Sequence, residues 1–453
     1  MKKNFKISLS TTQVIMLSFL AVILIGSVLL VLPISSASGQ SVAYLDALFT
    51  ATTSTCVTGL VSLTTASSWS IFGQIVILLL IQAGGLGIIT VTSGLMILFH
   101  RKIGLKDSHL LQDSFNLNTL SGLAEFVKKV LIGTLIVEGV GALLYMTVFI
   151  PEFGAKGIWI SIFNAVSAFC NAGMDIIGDN SLMNYACHPL VNGVTSLLII
   201  FGGLGYIVWW DILRVLKEWK KLKFKCFQRL TLHSKIALSA TLLLIFIGAG
   251  FIFAFEYNNP LTIGDLSLWD KIQVAFFQSI TTRTAGFATI PQENLNNASA
   301  LVCLLLMFIG GSPVGTAGGI KTVTFVVVLV ASFATIRNKN EASIFNRTLS
   351  KQAISKALAV TSMSFAILFT STILLSMVTQ ASALDILYET VSATATVGLS
   401  RNLTSFLNAW GKGIIIGTMY LGRVGPILLA IAFNTKKASV NNVQNPIEEI
   451  SVG

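Results

Sequence analysis

Apolar stretches of about 20 residues recur eight times in this 453-residue chain, at 13 to 33, 72 to 99, 131 to 150, 191 to 213, 237 to 256, 300 to 334, 358 to 378 and 411 to 433. A helix of that length crosses the roughly 30 Å hydrocarbon core of a bilayer, and water offers no way to accommodate eight of them. Only 11% of the residues are charged and 54% are hydrophobic, whereas an ordinary soluble domain carries about 25% charged residues. A soluble globular enzyme is excluded, and the chain reads as an all-α integral membrane protein. The first run follows Lys2, Lys3 and Lys6 and precedes small residues, in outline a cleaved leader. It exceeds the roughly 7 to 15 apolar residues of a leader, so it is read as the first span.

The net charge of +11 is segregated along the sequence. Of the 30 Lys and Arg residues, 23 fall in residues 1 to 12, between Arg101 and Lys129, between Arg214 and Lys235, between Arg337 and Lys356, and at Lys436 and Lys437. The alternate connections carry Asp46, Glu152, Asp175, Asp179, Glu256, Asp265, Asp270, Glu293, Asp385 and Glu389. By the positive-inside rule the basic segments and both termini are expected in the cytoplasm. The opposite, acidic face attracts cations. The five cysteines include no CxxC pair and imply no disulfide framework.

Between the members of each pair of spans lies a Ser/Thr-rich segment ending in glycine: Phe49 to Gly59, Phe163 to Gly173, Phe277 to Gly286 and Tyr388 to Gly398. Thr53, Ser167 and Ser392 stand six residues before the glycine, and the third segment is one residue shorter. A second landmark follows in the next span: Gly84-Gly-Leu-Gly87, Gly202-Gly-Leu-Gly205, Gly310-Gly-Ser-Pro313 and Gly422-Arg-Val-Gly425. The two landmarks are separated by 25, 29, 24 and 24 residues. Two features keeping step through four copies indicate an internal fourfold repeat. The repeats run over 1–110, 111–222, 223–345 and 346–437, with a cytoplasmic C-terminal tail at 438–453.

Each repeat therefore reads as span, short segment, glycine, span. A helix of about 10 residues rises about 15 Å, half a bilayer, so the short segments are expected to be re-entrant half-helices around one pseudo-fourfold pore. Asp46 and Asp385 are expected to cap two of them at the outer surface. Entering from outside, such a helix aims its partially negative C-terminus at the membrane centre, which favours a cation there. The backbone returning from the glycine must line an aqueous path, because lipid leaves its carbonyls unsatisfied.

The stretch Gly310 to Thr322 invites a phosphate-binding reading, but Ile320 rather than glycine precedes Lys321 and no strand signal precedes the loop. It is read instead as an unwound loop breaking the sixth span beside the permeation path. Three cations stand at membrane depth: Arg283, Lys321 and Arg423. Arg283 is expected to brace pore-helix carboxylates such as Glu389, since a cation is a poor ligand for another cation. Glu138 has no partner assignable from sequence. An intramembrane hydrolase finds no support in His100, His109, His188 and His233, which lack HExxH spacing. A stoichiometrically coupled secondary cation symporter is the alternative function, although such folds usually carry two repeats.

With its four span, pore-loop, span units, one glycine per loop, broken sixth span and Gly422-Arg-Val-Gly-Pro426, the chain resembles the membrane subunit of Ktr/Trk-type bacterial potassium uptake systems, in the superfamily that includes plant HKT transporters. The likeness covers nearly the whole chain and is nearest the Ktr branch. It implies a potassium-channel-like filter at Thr55, Cys56, Val57, Thr58 and Gly59, at Cys170, Asn171, Ala172 and Gly173, at Thr284, Ala285 and Gly286, and at Thr396, Val397 and Gly398. It also implies an intramembrane gate of Gly310, Gly311, Ser312, Gly315, Thr316, Gly318, Gly319 and Lys321, with Arg423 helping to block the path. Gly59 then favours potassium over sodium, and Pro313 with Val314 depart from the small residues usual in the loop. Potassium is the expected transported ion and sodium a candidate activator, with no cofactor in this chain. A homodimer and a cytosolic nucleotide-binding regulatory ring of the potassium-conductance-regulator type are the implied partners, at the plasma membrane.

Overall fold

The computed structural model describes residues 11–98, 123–218 and 226–425; the tail assigned to 438–453 and the end of the last apolar run lie outside them. Among the described residues, four single helices are long and apolar enough to cross a membrane: Gln13–Val31, Leu123–Phe153, Leu232–Glu256 and Lys351–Val378. They coincide with the first, third, fifth and seventh apolar runs of the sequence. Each leads into a short helix, Tyr44–Cys56, Lys156–Cys170, Leu268–Thr281 and Ala383–Ala395, of 13, 15, 14 and 13 residues. At 1.5 Å per residue these rise about 20 Å, too little to cross.

The second spans depart from expectation, which placed a break in the third repeat alone. The run 72 to 99 bends by 100° and the run 191 to 213 by 98°. The hinge is the last glycine of the landmark: Gly87 has φ 85° and ψ 130°, and Gly205 has φ 84° and ψ 144°, both outside the helical well. Gly425, with φ 93°, ends Ala409–Val424 in the same way. In the third repeat Pro313 occupies this position, and its ring cannot take a positive φ. There the interruption widens into a loop between Asn297–Phe308 and Thr322–Ile336, with the left-handed turns displaced to Val314 (φ 63°) and Gly319 (φ 65°).

Neither aspartate is a helix cap. The caps are Ala43 and Ser382, and each aspartate is the third residue of its helix. Ser382 Oγ accepts from the Asp385 amide at 3.2 Å and donates to Asp385 Oδ2 at 2.7 Å, an N-cap arrangement repeated by Ser267 and Asp270. Asp385 also accepts from Arg401 Nε at 2.7 Å, and Asp46 from Lys412 Nζ at 2.5 Å.

Close helix approach holds each repeat together, as association in lipid requires. Gly26 faces Leu80 in the first repeat, Gly141 faces Leu198 in the second and Gly248 faces Leu306 in the third. The fourth substitutes a hydrogen bond of 2.8 Å from Thr418 to Ser371. Leu135, Ile136 and Leu143 on one first span, and Leu243 and Phe246 on another, remain exposed, as a lipid-facing surface requires.

Candidate functional site

The four short helices end alike. The residue two before each glycine turns left-handed: Val57 at φ 55°, Asn171 at 59°, Thr284 at 66° and Thr396 at 52°. Gly59, Gly173, Gly286 and Gly398 follow at φ 94°, 63°, 83° and 100°, where side-chain-bearing residues are strained. These glycines meet. A Cβ added to Gly59 would lie 2.4 Å from Ala172 O, on Gly173 2.6 Å from Ala285 O, on Gly286 2.4 Å from Val397 O, and on Gly398 2.4 Å from Thr58 O. Every glycine abuts a carbonyl of the following repeat, and the fourth abuts the first, so the contacts close into a ring.

The hydroxyls noted in the sequence pin the strands of this ring. Thr53 Oγ1 accepts from the Gly59 amide at 2.9 Å and Ser392 Oγ from the Gly398 amide at 3.0 Å, while Ser167 Oγ reaches one residue further, to the Met174 amide at 3.1 Å. In the shortened third segment Thr281 does the reverse, donating to Phe287 O at 2.7 Å. The first landmark glycine permits a second close approach. A Cβ on Gly84, Gly202 or Gly422 would fall 1.9, 1.9 or 2.2 Å from Thr55 O, Phe169 O or Thr394 O, each the penultimate carbonyl of that repeat's short helix. In these three repeats the first landmark glycine thus brings the second helix against the end of the short one.

Gly310 departs from this pattern, packing on its own loop at Gly318 O. The loop from 309 to 321 is closed by Gly310 N to Ile320 O at 2.9 Å and Ile320 N to Phe308 O at 3.1 Å. It is held in place by the second repeat and by the short helix's end in its own repeat. Ser312 N and Thr316 N donate to Gly203 O and Gly202 O at 2.7 and 3.0 Å. Thr316 Oγ1 donates to Phe169 O at 2.9 Å, and Gly318 N donates to Thr284 Oγ1 at 3.1 Å. The loop thus lies directly against the C-terminal ends of the short helices, on one side of the glycine ring.

Arg423 donates from Nη1 to Thr316 O at 2.7 Å and from Nη2 to Gly84 O at 2.5 Å, joining the loop to the first repeat. Lys321 Nζ folds back onto Ala317 O. Arg283 does not reach Glu389. Its Nη2 contacts Thr241 Oγ1 at 3.3 Å and Gly310 O at 3.4 Å. Glu389 instead accepts from Ser400 Oγ at 2.6 Å and Thr404 Oγ1 at 2.5 Å, hydroxyls close enough in sequence to pre-empt a distant arginine. Glu138 gains partners in Gln82 Nε2 at 3.2 Å and, weakly, the Cys170 thiol at 3.9 Å.

On the other side of the ring a cavity of about 340 Å³ opens, with all four ring glycines in its wall beside Asp175, Asp179 and Glu293. Asp175, two residues past Gly173, was not singled out as a site residue. Burial in that wall pushes its carboxyl up to about 6, against hydrogen bonds from Ser181 and the Ile177 and Gly178 amides that favour the anion. Arg401 was missed as well. Besides Asp385 it binds Gln292 O at 2.9 Å and Glu293 O at 3.1 Å, bracing the rim between the third and fourth repeats. Its position three residues after Gly398 was the available signal.

The family model of TrkH cation transport proteins matches residues 2–445. The Ktr system potassium uptake protein B of Bacillus subtilis is 40% identical over 442 residues, covering 97% of this chain and 96% of the relative. The potassium/sodium uptake protein NtpJ of Enterococcus hirae is 38% identical over 460 residues, covering 100% and 99%. The crystal structure of the potassium transporter TrkH from Vibrio parahaemolyticus shares the fold, with a TM-score of 0.74 at 16% identity over 96% of this chain and 86% of that one.

Proposed function

Because the chain belongs to the TrkH family of cation transport proteins, which are membrane transporters rather than enzymes, we propose that it takes up potassium through the glycine ring. The observation that carries this reading is the closed order of contacts, Gly59 to Ala172, Gly173 to Ala285, Gly286 to Val397 and Gly398 to Thr58. Four equivalent strands around one pseudo-fourfold axis can offer backbone carbonyls in place of an ion's hydration shell. The C-terminal ends of four half-helices add partial negative charge beneath it. The membrane potential, worth about 2.3 kcal/mol per charge per 100 mV, then drives accumulation without a chemical step in this chain.

The loop from Gly310 to Lys321 is the gate in this reading. It lies across the inner ends of the short helices, and Arg423 fastens it there while placing a positive charge in the cation's way. Opening breaks the Arg423 bond to Thr316 O and moves the loop aside. The Bacillus subtilis relative is named as part of a Ktr system, so a separate regulatory subunit of the nucleotide-binding ring type, docked on the basic cytoplasmic face of a homodimer, is the partner proposed to drive that motion. Sodium stimulation is proposed on the strength of the potassium/sodium relative.

The experiment is growth of an uptake-deficient bacterium on limiting potassium, with and without a ring subunit, followed by flux through purified protein in liposomes. Potassium-dependent growth with uncoupled, voltage-driven flux supports the proposal. A fixed sodium-to-potassium ratio that persists at every voltage makes the protein a coupled symporter instead.

A further inference from the structure

Between the second and third strands of the ring lies a small cavity walled by Asn171, Gly203, Thr241, Ile280, Arg283 and Gly311. About 10 Å³ of it is open to the centre of a water molecule, which is room for one. Its polar side chains are deeply buried, with Asn171 1%, Thr241 4% and Arg283 7% exposed. Asn171 Oδ1, Asn171 Nδ2 and Arg283 Nε find no hydrogen-bond partner in the protein. The guanidinium's two bonds, at 3.3 and 3.4 Å, are long for a charged donor. A buried amide and a buried cation left in that condition are costly, and native structures rarely tolerate it.

We propose that this cavity binds a single structural water, which accepts from the Arg283 Nε–H and donates to the amide oxygen of Asn171. Thr241 Oγ1 supplies a third polar neighbour, the usual complement for a buried water. The guanidinium repels a cation from the space. The water joins two adjacent strands of the ring, since Asn171 is the left-handed residue of the second and Arg283 precedes that of the third. Through Gly310 O, which Arg283 also contacts, the same unit reaches the loop. Asn171 and Arg283 are thus positioning residues that hold ring and loop in register. The site stands on these contacts alone; its consequence for ion discrimination rests on the transport reading.

The test begins with a structure of the full-length protein in lipid, at a resolution that shows ordered waters. A peak within hydrogen-bonding distance of both the Asn171 amide and Arg283 Nε is expected. An unfilled cavity, a direct Asn171–Arg283 bond, or a peak that shifts to bromide on anion exchange overturns the site. In liposomes, Arg283→Met should lower potassium-over-sodium discrimination about tenfold, the loss expected when a buried partner is removed, while maximal potassium flux falls less. If Arg283→Met does not assemble, Thr241→Val keeps the volume and should weaken the water peak with a smaller loss of discrimination. Unaltered peak and discrimination in Thr241→Val would refute its share in the site, and wild-type discrimination in an assembled Arg283→Met would refute the coupling. A wild-type protein that carries no potassium sinks the transport reading and leaves the water peak standing.

Discussion

Gly398→Ala tests the ring most directly. Its methyl group would sit 2.4 Å from Thr58 O and 3.0 Å from Gly59 Cα, whereas ordinary contact begins at 3.4 Å. Both clashes are with backbone, so the first strand must withdraw by about 1 Å, and no side-chain rotation relieves it. Alanine at φ 100° adds strain, roughly 1–2 kcal/mol for an L-residue forced into left-handed backbone. A carbonyl displaced that far loses a charge-assisted contact with a dehydrated ion, worth about 1.5–3 kcal/mol. At about 1.4 kcal/mol per decade, discrimination between potassium and sodium should fall ten- to hundredfold. The control is Gly417→Ala, in the helix Ala409–Val424, where an added Cβ meets nothing within 4 Å. It should leave transport intact and gain up to about 1 kcal/mol of helix stability. Both variants are read by rubidium uptake into liposomes against rising sodium, beside a thermal melt and an assembly check. If Gly398→Ala assembles normally and discriminates like wild type, the ring is packing and not a filter.

Arg423→Ala removes the guanidinium bonds to Thr316 O and Gly84 O, so basal potassium conductance should rise at least tenfold and stimulation by a ring subunit should shrink; Arg423→Lys should fall between, keeping charge without the two-armed contact. Single-channel or flux recordings check this, and an assembled alanine variant with wild-type conductance would reassign Arg423 as a structural tie. Shortening residues 312 to 318 removes the loop's anchors to Gly202, Gly203 and Phe169, and should raise flux severalfold in liposomes; no gain would mark the loop as a structural kink. Asp175, held up at about 6 from about 3.9 in an unfolded chain, keeps its proton longer when folded. Its contribution to stability is therefore full below about pH 4 and is lost as pH rises through about 6. Its negative charge at the cavity wall follows the opposite course. Uptake at limiting potassium should drop severalfold between about pH 7 and pH 5, and Asp175→Asn should flatten that profile.

The pairing of each short helix with its ring glycine was legible because the same two landmarks recur in order four times along the sequence, 24 to 29 residues apart. The clamp hydroxyls Thr53 and Ser392 were visible for the same reason. The bends at Gly87 and Gly205 were not, since both arms of each bent run are apolar or buried and hydropathy reports no direction. Only the positive φ of the final landmark glycine betrays the turn. The partner of Arg283 also eluded the sequence, because a formal charge draws attention to carboxylates, while the contacts made are a threonine hydroxyl 42 residues away and a backbone carbonyl. Glu389 was likewise taken by hydroxyls 11 and 15 residues along the same loop. Charge pairing is a poor guide where neutral donors lie nearer.

The closure of the glycine ring fixes where the molecule can come apart. Three of its four joints are also crossed by the polypeptide, which runs from each repeat into the next. The fourth joint, where Gly398 meets Thr58 O, has no peptide across it. It is fastened by Lys412 on Asp46 at 2.5 Å, by Tyr420 on Met16 O at 3.0 Å and by Arg423 on Gly84 O. The chain is thus a hoop with three welds and one clasp, and the clasp shares its arginine with the loop. Whatever loosens Arg423 from Thr316 O also tugs at the one joint of the hoop that no peptide crosses.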